Sequence, residues 1–348
     1  MNFSVQFKVR GDDFGGHFIN GISMADSESF WKCKLVSADD EKNVYESSDG
    51  YKITAYHIKK GDVFECYTVF ENNTDSVVTL DMISSFAITD LDFDTLHRAT
   101  SFWSAEGKML SQKLTDLNME RSWSGHGIRI EKFGQVGSMP VRKWFPFVAI
   151  ENSEKNEFIG VQLYIPSSWQ IELFRHKEPL TLLGGLADFD YGHWCKEIKP
   201  NESFTTPKAV VAVGDSLLKV CDMLVKAQQP DISPVDEDLP VIFNEYCTSW
   251  GNPTIENLEK TAKKLQGSGV KYLVMDSGWY KEDGKEWWDT IGDWNVNKSQ
   301  FPDGLKPVCD MIKSYGLIPG IWFEMENVAP LSQIYNETNH LLSRMGTP

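Results

Sequence analysis

Basic residues are scarce in this sequence: 34 Lys and Arg face 50 Asp and Glu, a formal net charge of −16 over 348 residues. Such a surface repels phosphate backbones and acidic membranes, which excludes nucleic acid and anionic lipid as expected partners. Long apolar runs are missing as well. The opening MNFSVQFKVRGDDFGGHF has no apolar secretory core, and no segment approaches the eighteen or so uninterrupted apolar residues of a membrane span. A soluble, cytoplasmic chain is expected. Cys33, Cys66, Cys195, Cys221, Cys247 and Cys309 stand singly, with no C-x-x-C spacing and no paired His. That pattern excludes a zinc site and a dense disulfide framework, so free thiols and no metal are expected.

Tryptophan, by contrast, is abundant: 12 residues, against an ordinary usage of about one in a hundred. Sugar-binding proteins are one class that needs such indoles. The length suggests two domains, and the patterning divides accordingly. Through residue 214 the chain reads as short alternating runs: YKITAYHI (51–58), VFECYTVFEN (63–72), VVTLDMISSFAI (77–88), FPFVAIEN (145–152), FIGVQLYIP (158–166), WQIELF (169–174) and KAVVAVG (208–214). Period-two patterning broken by turn residues predicts antiparallel strands, and so many predict a large β-sandwich over 1–214. Residues 215–240 read as a connection. Asp215 is a good N-cap, Leu218, Cys221, Leu224 and Val225 share one helical face, and PDISPVDEDLP (230–240) combines prolines with solvated acidic residues.

After Pro240 strand and helix alternate. VIFNEYCT (241–248), KYLVMD (271–276) and IPGIWFEM (318–325) read as strands; TIENLEKTAKKLQGSG (254–269), GLKPVCDMIKSYG (304–316) and SQIYNETNHLLSRMG (332–346) read as helices. Three βα units call for a parallel sheet, and the absence of G-x-G-x-x-G after the strands favours the beginning of a (β/α)8 TIM barrel over a dinucleotide fold. Barrel sites lie at the carboxyl ends of strands. Those ends carry Asn244, Glu245 and Trp250; Asp276, Ser277 and Trp279; and Glu324 with Glu326. With no G-x-S-x-G elbow and no strand-end Lys, acyl transfer and aldolase-type imine chemistry lose support. Carboxylates with indoles suit a pyranose site, the oxygens accepting hydroxyl hydrogen bonds and the indole faces covering the C–H surface.

A plainer reading stands beside each residue. Asp276 can cap the turn after its strand, and Trp279, Trp287, Trp288 and Trp294 can be loop packing. The loop itself argues for function, since about twenty-five residues separate strand from helix where two to six are usual. Glu324 and Glu326 alternate along the expected third strand, so only one can face the barrel mouth. Glu245 reads as a supporting residue.

FNEYCTSW, YLVMDSGWY, GDWNVNKSQFPDGLKPV and GLIPGIWFEMENV, over about residues 238–330, together resemble the start of the catalytic barrel of melibiase-type α-galactosidases, glycoside hydrolase family thirty-six. The first half resembles that family's amino-terminal β-sandwich through SFWSAEGKML, PFVAIEN with FIGVQLYIPSSW, and PNESFTTP. The resemblance implies a retaining exo-glycosidase, free of cofactors, acting on oligosaccharides with a terminal α-galactosyl-type sugar. Two Asp carboxyls about 5 Å apart would do the chemistry. It also implies that Asp276 holds sugar hydroxyls, that Trp250 and Trp294 line the apolar side, and that Phe323 and Glu324 form the floor. Family members assemble as oligomers with the sandwich at subunit contacts, which implies a homo-oligomer.

Two departures carry consequences. Where the family has Asp-Asp-Gly-Trp, this chain has Ser277 in place of the second Asp, removing one anionic acceptor. An α-N-acetylgalactosaminidase or a broader specificity is the alternative this raises. The family's nucleophile and acid/base lie on the fourth and sixth barrel strands, so no catalytic carboxylate is expected within this chain; both are expected beyond Pro348. Residues 241–348 are then an incomplete barrel, with the third strand's edge uncovered, inactive by itself. A noncatalytic carbohydrate-binding protein is the third reading.

Overall fold

The computed structural model describes residues 1–13, 19–120, 127–176, 180–228 and 232–341. It divides into two compact units, Met1–Gln229 and Pro230–Pro348. The first is built from two antiparallel sheets. In the ten-stranded sheet the order runs Cys33–Ala38, Lys42–Ser47, Tyr51–Lys60, Val63–Asn72, Ala209–Gly214, Glu157–Leu163, Phe147–Asn152, Thr95–Phe102 and Ala105–Lys113, with Ser203–Thr205 paired onto Val63–Asn72. The seven-stranded sheet is centred on the long strand Val78–Leu91, which pairs with Asn2–Ser4, Phe7–Val9, Leu180–Leu186 and Lys196–Ile198. Trp169–His176 and Ile128–Gln135 extend it. Alternation buries every second side chain along strands such as Val63–Asn72 from Cys66 onward, whereas Val78–Leu91, Trp169–His176 and Leu180–Leu186 are buried on both faces. Phe86, Ile88, Leu96, Phe133, Val148, Ile150, Val161, Trp169, Ile171, Leu182 and Val211 form one buried cluster. Trp169 is fully buried, and its indole N–H reaches the Pro140 carbonyl at 2.6 Å.

The helix Leu217–Ala227 begins one residue later than expected, with Ser216 as its cap. It presents a different face from the one read in the sequence. Val220, Met223 and Leu224 pack on Phe158, Val210 and Ala212, while Leu218 and Val225 are 81% and 67% exposed. The cause is a close approach: side chains at Gly160 and Gly214 would sit 3.0 Å from the helix, so these two glycines seat Val220 against the sheet. The expected connecting helix therefore packs on the sandwich.

In the second unit, Val241–Asn244, Val270–Met275 and Ile318–Ile321 form a three-stranded parallel sheet with the second strand in the middle. Helices Ile255–Leu265 and Lys306–Ser314 send Leu258, Ala262, Val308 and Ile312 onto Leu273 and Met275. Thr254 caps the first of them through the Asn257 amide. Ile242, Ile318 and Ile321 remain exposed.

Two expectations for this unit fail. The third strand stops at Ile321, four residues early, so Glu324 and Glu326 do not alternate along a strand; they sit in a turn where Glu324 Oε1 accepts the Glu326 amide at 2.9 Å. The helix expected over 332–346 is replaced by 3₁₀ turns, Ile334–Asn336 and Thr338–His340, and the positions from 342 to Pro348 lie outside the described residues. Asp293 accepts the Gln333 and Ile334 amides at 2.6 and 3.3 Å, and a run of Asn and Thr gives helix propagation little support.

Candidate functional site

The ends of the first two parallel strands are locked together by side chains. Asn244 donates from Nδ2 to Asp276 Oδ2 at 2.6 Å, and its own Oδ1 accepts the Tyr246 amide at 2.9 Å. Asp276 Oδ1 accepts the Ser277 amide at 2.7 Å. Each carboxylate oxygen thus has one partner and retains capacity for a second. Asp276 does cap its turn, and it is also a fixed acceptor, 8% exposed at a strand end.

Glu245 lies beneath it, 1% exposed, and its Oε1 accepts the Asp276 amide at 3.2 Å. Burial pushes the Glu245 carboxyl up, and the neighbouring Asp276 charge pushes the same way. It acts as a support for Asp276, as the sequence suggested. Ser277 is 1% exposed, and its hydroxyl has no partner among the described residues.

The geometry of the turn depends on glycine. Gly278 has φ +98°, and a Cβ there would fall 2.1 Å from the Gly251 carbonyl oxygen. The loops after the first and second strands therefore touch backbone to backbone.

The tryptophans divide. Trp279 is 2% exposed, donates from Nε1 to the Trp322 carbonyl at 3.0 Å, and stacks on Trp294 with centroids 6.1 Å apart. Phe323 closes on both rings, 5.2 Å from Trp279 and 5.3 Å from Trp294. Trp250 has a left-handed backbone and is 70% exposed, its ring 5.6 Å from Tyr246. Tyr246 leads through Trp287 and Trp322 to Trp294 by edge contacts of 6.1–6.2 Å.

Sequence reasoning passed over Tyr280. It is 2% exposed, lies 4.6 Å from Trp294, and has no partner for its phenol among the described residues. Burial holds that phenol protonated, reinforced by the Asp276 and Glu324 carboxylates that bear on it. Tyr280 thus packs on Trp294 with its phenol in the field of the Asp276 and Glu324 carboxylates. Its only sequence signal was adjacency to Trp279, which a core residue would share. Among the described residues no group of three or more His, Cys, Asp or Glu is placed to hold a metal ion. The nucleophile and acid/base expected beyond Pro348 fall outside the described residues, the last of which is Leu341. Asp276 and Glu245 do not stand in for them, since Glu245 is spent on the Asp276 backbone amide.

Comparisons with known proteins point the same way. The Melibiase family model matches residues 203–343. α-Galactosidase Mel36A of Lactobacillus acidophilus is 25% identical over 64% of this chain and 31% of its own length. Probable α-galactosidase G of Emericella nidulans is 25% identical over 76% of this chain and 37% of its own length. The chain thus spans about a third of the length of these curated relatives. Among solved structures, α-galactosidase AgaA of Geobacillus stearothermophilus superposes with a TM-score of 0.74 over 99% of this chain and 47% of its own, at 19% identity. The α-galactosidase of Lactobacillus brevis gives 0.72, over 100% and 45%, at 16% identity. At such identities the likeness carries the fold: an amino-terminal β-sandwich followed by the first part of a (β/α)8 barrel. The chain is thus similar to the melibiase-type α-galactosidases of glycoside hydrolase family thirty-six, in sequence over residues 203–343 and in fold over 99% of its length.

Proposed function

We propose that this chain forms the sugar-holding part of a retaining glycosidase that removes terminal α-galactosyl residues, with Asp276 reading ring hydroxyls. The observation that carries this is the Asp276 carboxylate, fixed by Asn244 and the Ser277 amide beside the unpartnered Ser277 hydroxyl. Trp294 and Phe323 supply apolar faces for the ring, with Glu324 beside them and Trp250 at the exposed rim. Attack on the anomeric carbon and protonation of the leaving oxygen belong to carboxylates of other barrel strands. Relatives bearing the name α-galactosidase, and AgaA solved with raffinose and with stachyose, support this substrate class.

A specific observation favours a second reading. Ser277 stands where the family pattern carries Asp, and losing a charge-assisted hydrogen bond there would cost about 1.5–3 kcal/mol of galactose recognition. A small residue leaves room for a 2-acetamido group, hence an α-N-acetylgalactosaminidase. Titration of the chain with galactose and N-acetylgalactosamine, before and after Ser277→Asp, separates the two. The substitution is expected to shift the affinity ratio roughly tenfold toward galactose; an unchanged ratio removes Ser277 from specificity.

Self-association through the sandwich is part of the same proposal. The edge strand Cys33–Ala38 leaves Leu35 and Val36 exposed, with Trp31 just before it 65% exposed. Sedimentation of the chain before and after Trp31→Glu tests this; a monomer in both cases refutes it.

A further inference from the structure

Lys132 lies on strand Ile128–Gln135 of the seven-stranded sheet, in a cluster with no part in the site above. Its ammonium sits 2.7 Å from Asp188 Oδ2 and 3.2 Å from Glu172 Oε2, two carboxylates whose side chains are 0% and 1% exposed. Ser23 Oγ donates to Glu172 Oε1 at 2.5 Å, and Gln170 Nε2 donates to Asp188 Oδ2 at 2.9 Å. Asp188 Oδ1 also accepts the Tyr191 amide at 2.8 Å, which starts the short turn Phe189–Gly192. Burying three charges is costly even when they are paired, and hydrophobic residues could fill the same space.

Of the ammonium's three donors, two are taken by these carboxylates. The Lys132 side chain keeps a tenth of its exposure, at the wall of a cavity of about 350 Å³ formed with Ile22, Ile130, Asp190 and Tyr191. Asn20 fixes that wall, accepting the Ile130 amide at 2.8 Å and donating to its carbonyl at 3.3 Å. Beyond Tyr191 a wider cleft of about 820 Å³ opens, lined by Phe102, Leu110 and Val136. Tyr191 lines both.

We propose that this face of the sandwich is a second saccharide-binding site for a neutral oligosaccharide, with one pyranose against Lys132 and the rest of the chain passing Tyr191 toward Phe102. The remaining Lys132 N–H donates to a ring hydroxyl, and the exposed Asp190 carboxylate accepts from another. Ile22, Ile130 and the Tyr191 ring cover the C–H face. An anionic ligand is disfavoured, because Glu172, Asp188 and Asp190 outweigh Lys132. A cationic ligand is disfavoured too, since the Glu172 and Asp188 oxygens are spent on Lys132, Ser23 and Gln170. The inference takes from the proposed function only its choice of probe.

Calorimetric titration of the full chain with melibiose tests it, in the wild type and in Asp276→Asn, Tyr191→Ala and Asp190→Asn. Lys132 itself is avoided as the sole variant, because its removal strands two buried carboxylates. The wild type is expected to bind at two sites. Asp276→Asn should lose one of them, and Tyr191→Ala should weaken the other by roughly tenfold, with Asp190→Asn weakening the same one. A single wild-type site that Tyr191→Ala weakens and Asp276→Asn spares would support this site and refute the barrel assignment. Loss of all binding in Asp276→Asn, binding untouched by Tyr191→Ala, or no wild-type binding would overturn the inference.

Discussion

Replacing Asp276 by Asn removes one charge and almost no volume, so its effect isolates what the carboxylate does. Both oxygens serve as acceptors, toward Asn244 Nδ2 at 2.6 Å and the Ser277 amide at 2.7 Å. An amide offers one acceptor, so whichever way it is oriented one donor faces an NH₂ group. Rotating the Asn244 amide does not repair this, because its Oδ1 is already engaged by the Tyr246 amide. Oriented to serve the buried Ser277 amide, the new amide gives up the bond from the exposed Asn244, and losing a hydrogen bond to a charged group costs about 1.5–3 kcal/mol while the surviving bond loses its charge assistance. Against this stands relief of repulsion from Glu245, whose Oε1 lies 3.2 Å from the Asp276 amide nitrogen. The loss wins, because it strikes direct contacts of 2.6 and 2.7 Å, whereas Glu245 Oε1 already accepts the Asp276 amide and keeps that bond in the variant. The expected net destabilisation of the second unit is about 1–3 kcal/mol, readable in urea unfolding followed by the fluorescence of its buried Trp279. Galactose affinity should fall further, by roughly 10- to 100-fold, as two hydroxyl bonds to a charged acceptor weaken. Affinity within about twofold of wild type would show that the Asp276 carboxylate only caps its turn.

Glu245→Gln tests the support beneath it. Burial raises the folded-state value of this carboxyl above its ordinary 4.5, so its contribution to stability is complete below 4.5 and is lost as pH rises through the folded value. The amide keeps an acceptor for the Asp276 N–H without the charge, so the variant is expected to be more stable at neutral pH and flatter in pH profile; an identical unfolding profile from pH 4 to 8 would refute the assignment. Gly278→Ala places a Cβ 2.1 Å from the Gly251 carbonyl oxygen in a left-handed turn. A loss of about 3 kcal/mol or more is expected. Gly284→Ala, also left-handed but with nothing within 4 Å, should cost only about 1–2 kcal/mol. Equal urea midpoints for the two would dismiss the backbone contact between the strand-end loops.

Sandwich strands such as Val63–Asn72 are legible because one face is buried and the other is not, while Val78–Leu91 and Trp169–His176, buried on both faces, are legible as apolar runs. Val63, Cys66, Thr68, Phe70 and Asn72 are buried along one strand, with Tyr67, Val69 and Glu71 partly exposed between most of them. The helix after them was legible as a helix but not in its rotation. Leu217, Leu218, Val220, Cys221, Met223, Leu224 and Val225 are apolar nearly all round, and what selects Val220 is the absence of side chains at Gly214, just before the helix, and at Gly160, distant in sequence. The third barrel strand was read too long because IPGIWFEM is apolar nearly throughout. Trp322 still donates its amide to the Met275 carbonyl at 3.0 Å, but Phe323 turns away to pack on Trp279 and Trp294. Asp276 and Ser277 could be picked out as a strand end, whereas the Asn244 bond to Asp276 spans 32 positions and belongs to the fold alone.

The long loop after Asp276 is not uniform, and the difference bears on what it is for. Its far end is tied at Asn297, which donates to the Lys281 carbonyl at 2.5 Å and accepts the Ser299 and Gln300 amides at 2.9 and 3.1 Å, with Phe301 buried behind it and the Gln300 side-chain oxygen alone unpartnered there among the described residues. Nearer the strand, the Ser277 and Tyr280 hydroxyls, the Trp287 indole N–H and the Thr290 hydroxyl are buried without partners among the described residues. Each such group costs about 1–3 kcal/mol, and apolar residues of the same size would avoid that cost. A segment selected only for packing would not keep four of them within fourteen residues of Asp276, one of them, Tyr280, against both Trp279 and Trp294. Donors and acceptors held close to a fixed carboxylate and an aromatic wall are what a hydroxyl-rich ring requires, which is why the indoles of this loop are read with Asp276 rather than with the core.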